Sequence, residues 1–220
     1  MEIGLIVLAT MLAALLGWLL EQSFSTTPWV AGVTAEADHQ APFNARPKLV
    51  ALTTFLAVAT SFFALILSAY SLRMELGDWV PMTEPSVLWI NTGVLALASV
   101  VFQWTRNHAL SGNVARIKPG LLLAGVLTTA FLAGQWLAWQ ELNASGQYIT
   151  VNPSNAFFFL LTGAHGLHIL GGMYVWGRAT VRAFGGQEMD AVKHSVELCT
   201  IYWHFLLLVW LVLFGLMLST

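Results

Sequence analysis

Two histidines three residues apart, His165 and His168, stand in the apolar run LLTGAHGLHILGG (160–172). A second polar set, Glu197, Thr200 and His204, stands in HSVELCTIYWHF (194–205). At 3.6 residues per turn, His165 and His168 share an arc of about 120° with Leu161, Ala164, Gly171 and Gly172. Glu197, Thr200 and His204 share one face at i, i+3 and i+7. Ionisable groups within such sequence mark a site by default, and three kinds of chemistry compete for them. Two imidazoles on different helices at matched depth, such as His168 and His204, ligate a haem iron in a b-type cytochrome. A chain of titratable groups carries protons, although none follows Leu207 here. Neutral histidines bond to neighbouring helices, while the Glu197 carboxylate reaches for the cytoplasmic surface to meet an arginine or a lipid headgroup. Zinc or copper catalysis lacks ligands at a usable spacing.

The elements that must position these groups are membrane helices. Of the 220 residues, 57% are hydrophobic and 9% charged, against roughly 25% charged in a soluble domain. Six stretches reach the ~20 apolar residues of a span: roughly 2–20, 49–72, 86–104, 119–139, 156–176 and 196–218. The alternating pattern of a membrane barrel is missing, so the fold class is all-α integral membrane with about six helices. The first stretch, MEIGLIVLATMLAALLGWLL, lacks the basic start and cleavage site of a signal peptide and reads as a retained helix. The connections after the first, third and fifth spans hold Arg46, Lys48, Arg106, Arg116, Lys118, Arg178, Arg182 and Lys193, leaving Arg73 alone opposite. That bias puts both termini outside the cytoplasm. The chain divides into an N-terminal helix (1–20), a cytoplasmic loop (21–47) and a five-helix core (48–220). With net charge −2 there is no basic surface for nucleic acid, and with Cys199 as the single cysteine there is no disulfide.

Other polar residues read as interhelical glue: Thr54, Ser61 and Ser68; Thr92, Ser99 and Gln103; Thr128 and Gln135. Gly163 and Gly166 lie opposite the histidine face, implying close neighbours on both sides of that helix. Trp79, Trp104, Trp139 and Trp176, near span ends, suit an interfacial aromatic belt.

Several motifs in order resemble subunit III of the haem–copper oxidases. TGAHGLH (162–168) is similar to the family's TG-x-HG-x-H. His194, Glu197 and YWHFLLLVW (202–210) are similar to HF-x-FE…YWHF-x-D-x-VW. NTGVLALAS (91–99) with His108, FLAGQWLAWQEL (131–142) and RPKLV (46–50) extend the match over residues 44–218. The family's carboxylate near Ala59 is absent, and the Asp after YWHF is Leu207. The resemblance implies a non-catalytic, non-redox accessory subunit of a proton-translocating terminal oxidase in the bacterial inner membrane. Such a subunit packs beside subunit I, with subunit II and optionally a small subunit IV as further partners. It holds phospholipid and supports proton uptake, while haem and copper reside in partner subunits and this chain holds no cofactor or metal. His165, His168, Glu197, Trp203 and His204 are then expected to shape a lipid-facing or interhelical polar site, with Arg178 and Arg182 as headgroup partners. A b-type cytochrome with haem between the fifth and sixth spans is the alternative.

Overall fold

A computed structural model describes residues 47–219 apart from 83, 84 and 187. Among these, five helices are long and apolar enough to cross a membrane: α1 (Pro47–Met74), α2 (Val87–Leu110), α3 (Val114–Ala144), α4 (Pro153–Phe184) and α5 (Met189–Leu218). The expected first span and the 21–46 connection lie outside the described residues.

The helices overrun the apolar stretches predicted for them. At 24 to 32 residues and 1.5 Å per residue they measure about 36–48 Å, beyond a hydrocarbon core of about 30 Å. Residues such as Asn107, Glu141, Arg182 and Asp190 therefore continue the helices past the apolar limit, where headgroups and water solvate polar side chains. Local chemistry sets the ends. Asn152 caps α4 by accepting from the amides of Ser154 and Asn155, with Pro153 in the first turn. α3 closes with Gly146 at φ 79°, the Gln147 amide returning to Leu142 O at 2.9 Å. That is the helix-ending geometry a left-handed glycine permits.

The chain forms two compact units, Met1–Ser61 and Phe62–Thr220, divided within α1. In the first unit, the Thr60 and Ser61 hydroxyls donate to carbonyls of their own helix, Leu56 and Ala57. In the second, α2 packs on α3 and α5, and α4 packs on the same two, which closes a four-helix ring. α5 is the most enclosed of the four, with 56% of its apolar window buried against 33–39% for the others. Its Val196, Trp203, Leu206, Trp210 and Leu213 fill the centre against Phe102, Phe131 and Leu161. Residues 62–74 of α1 meet α4 differently. Among the described residues no Cα of that segment comes within 8 Å of another helix, and contact is made by rings. Phe63 lies 5.0 Å from His168, and Tyr70 meets Trp79 and Phe157 at 5.0 and 5.4 Å.

Candidate functional site: polar seams between helices

The polar residues singled out in the sequence do not converge on one site. The Glu197–Thr200–His204 stripe of α5 faces α2. Ser99 lies 2.5 Å from His204 Nδ1, and Gln103 Oε1 lies 3.0 Å from His204 Nε2. Gln103 Nε2 donates onward to Asn107 Oδ1 at 3.1 Å. With Gln103 Oε1 as acceptor, His204 carries its proton on Nε2 and accepts from the Ser99 hydroxyl on Nδ1. The result is a directional run from Ser99 through His204 and Gln103 to Asn107, along a seam exposed at the protein surface. One turn toward the start of α5, Thr200 donates to Phe102 O of α2 at 3.2 Å. Beyond it, Arg106 Nη2 pairs with Glu197 Oε1 at 3.0 Å, both side chains about one-quarter to one-third exposed. Arg106 was counted among the basic loop residues; its place inside α2 makes it the partner of Glu197.

His168 belongs to a different seam. Its Nδ1 donates to Ala164 O of its own helix at 2.7 Å, and its ring packs at a tilt against Phe62 and Phe63 of α1. Its backbone carbonyl accepts from the Tyr202 hydroxyl at 2.8 Å. The two imidazoles considered as a ligand pair therefore sit on opposite sides of α5's neighbourhood, His204 toward α2 and His168 toward α1. His165 is fully buried between Phe131 and Trp210, with ring centroids 5.9 and 5.1 Å away.

Trp203 ties the ring across its centre. α3 and α5 are not backbone neighbours, yet Trp203 Nε1 donates to Thr128 Oγ1 at 3.1 Å. Two more indole–threonine pairs close adjacent seams: Trp210 to Thr92 at 2.9 Å and Trp139 to Thr162 at 3.0 Å. Trp176 donates to Leu121 O at 2.9 Å, its ring lying where a side chain on Gly125 would have to go. Trp139 and Trp176, expected in an interfacial belt, are thus helix cross-links. The reason is that an indole N–H near a helix end finds a neighbouring acceptor as readily as a headgroup. The pairing of these indoles with threonines went unread in the sequence; a hydroxyl and an indole one helix apart leave no local spacing signal.

At the α4–α5 end, Arg182 donates to Ser195 Oγ at 2.7 Å. Exposed Arg178 donates to the Tyr174 hydroxyl at 3.4 Å and lies over that ring. In the last turn of α1, Arg73 donates to both carboxylate oxygens of Asp78 in the following loop. This hydrogen bond holds the Asp78 carboxyl below its ordinary 3.8, with direct charge attraction adding to it.

The family model described as cytochrome c oxidase subunit III matches residues 4–219. A probable cytochrome c oxidase subunit 3 of Nocardia farcinica is 27% identical over 179 residues, covering 77% of this chain and 87% of the relative. That of Mycobacterium leprae is 29% identical over 175 residues, with the same shares covered. Cytochrome c oxidase subunit 3 of the sea urchin Strongylocentrotus purpuratus is 30% identical over 163 residues, covering 70% of this chain and 61% of the relative. A multi-pass helical bundle, cross-linked by its own polar groups and matched over nearly its whole length, belongs to the cytochrome c oxidase subunit III family.

Proposed function

We propose that this chain is the non-redox accessory subunit of a bacterial haem–copper terminal oxidase, supporting aerobic reduction of O2 to water from the inner membrane. On this reading haem and copper are held by partner subunits. The chain packs beside subunit I, with subunit II and a small subunit IV completing the complex, and both its termini lie outside the cytoplasm. The observation that carries the reading is where the polar side chains are used. His204, Glu197 and Trp203 are committed to bonds between helices, as expected of a scaffold that positions neighbours. Lipid binding belongs to the same reading of the chain as an oxidase subunit III. Arg178 and Arg182 at the cytoplasmic end suit anionic headgroups there. Support of proton uptake would be indirect, because the positions matching family carboxylates are Ala59 and Leu207.

An optical spectrum of the separately purified chain tests the reading. No stoichiometric Soret band is expected; such a band, lost in His168→Ala, would establish the b-type cytochrome instead. Glu197→Gln in the intact oxidase is a second test. Gradual inactivation during turnover is expected, and an immediate loss of proton pumping would mean that Glu197 conducts protons.

A further inference from the structure

The four-helix ring encloses a pair of polar side chains whose hydrogen-bonding atoms the protein does not satisfy. His165 of α4 is 0% exposed, and neither ring nitrogen has a protein partner. Gln135 of α3 is 4% exposed, and both its amide nitrogen and oxygen are likewise unmet. The two stand at one level. α3 and α4 are successive antiparallel helices joined in register by the Trp139–Thr162 bond at 3.0 Å. Gln135 lies one turn before Trp139 on α3, and His165 lies about one turn after Thr162 on α4. Phe131, one turn further along α3, stands edge-on to the His165 ring at 5.9 Å. Contacts on both sides of Gln135 thus bring α3 against α4 at the height of His165.

The surrounding polar groups are already committed. Trp210 gives its N–H to Thr92, and Asn91 gives an amide hydrogen to Phe131 O. Thr162 donates to Phe158 O while accepting from Trp139. A neutral imidazole offers one donor and one acceptor, and a carboxamide offers both. The ligand that completes them must be small, uncharged, and able to donate and accept at once. We propose that His165 and Gln135 form a built internal hydration site holding one or two water molecules between α3 and α4. This goes beyond the accessory and lipid-binding reading, since a fully buried His165 is inaccessible to an acyl chain or headgroup. It also gives the first histidine of TGAHGLH a role separate from that of the second, which faces the rings of α1.

The test uses the intact oxidase. A density map that resolves ordered water should show a peak within hydrogen-bond distance of a His165 ring nitrogen and the Gln135 amide. Direct bonding of the two side chains, with no peak between them, would overturn the proposal. Variants give a second readout in the rate at which this chain dissociates from the complex on heating. Gln135→Leu or His165→Phe alone strands the remaining polar groups and should speed release roughly tenfold. The pair together removes the need for water and should recover most of the loss. Losses that simply add would overturn the proposal, and if the variants do not assemble the wild-type map alone decides.

Discussion

At the scale of single residues, His204, Glu197, Tyr202 and the indoles Trp139, Trp176, Trp203 and Trp210 each bond to a neighbouring helix. Interhelical bonds of this kind are each worth about 0.6–2 kcal/mol in a membrane. Trp203→Phe keeps the ring volume but loses the N–H to Thr128, so it should destabilise the bundle by about 1 kcal/mol. Thr128→Val should cost a similar amount. The two should be strongly non-additive in a double-mutant cycle read by thermal dissociation of the complex; full additivity would mean that the bond is not formed. Ser99→Ala and Gln103→Leu each remove one partner of His204, and the second should cost more because it also strips Asn107 of its donor. The participants in these bonds were legible as residue types, Glu197, Trp203 and His204 among them. Their partners were not. Periodicity assigns a residue to a face of its own helix and carries no record of which helix that face meets. Hence periodicity defined the α5 stripe, and only the structure set it against α2.

At the scale of elements, glycines decide how closely helices approach. A side chain on Gly125 would strike the Trp176 ring, whereas nothing lies within 4 Å of the corresponding position on Gly166. Gly125→Ala should therefore displace Trp176 from Leu121 O and loosen the α3–α4 seam. Gly166→Ala should be neutral or stabilising by up to about 1 kcal/mol through helix propensity. Tryptophan fluorescence and thermal dissociation would separate the two, and equal effects would refute the packing argument. The turn after α1 carries a pH dependence. Because the Arg73 bond lowers the folded-state value of Asp78 below 3.8, its contribution is complete above that value and is lost as pH falls through the lowered one. Faster amide exchange at Leu76 and Trp79 on acidification below 3.8 should report it, and Asp78→Asn should abolish the dependence. Helix ends were the least legible feature. The α4 start was readable from Asn152-Pro153 yet was placed at 156, because hydropathy falls before the helix stops.

At the scale of the whole molecule, four of the described spans close a ring, and residues 62–74 of α1 meet α4 through rings. Phe63→Ala should therefore loosen residues 62–74 of α1 from α4 more than Phe62→Ala, because Phe63 is 0% and Phe62 44% exposed. Equal effects on thermal dissociation would argue against the ring contact. The class, the span count for the described region and the family were all legible, since they rest on composition and on motifs in order. The ring closure was not, because it depends on contacts between helices far apart in sequence. One feature of that closure bears on how such chains diverge. Three indoles are paired with three threonines, Trp139 with Thr162, Trp203 with Thr128 and Trp210 with Thr92. Losing either member alone strands a polar group in hydrocarbon or leaves an empty ring-sized space. Descendants of this sequence should then change these positions in twos, so an aligned set of relatives would record the seams of the bundle as co-substituted pairs.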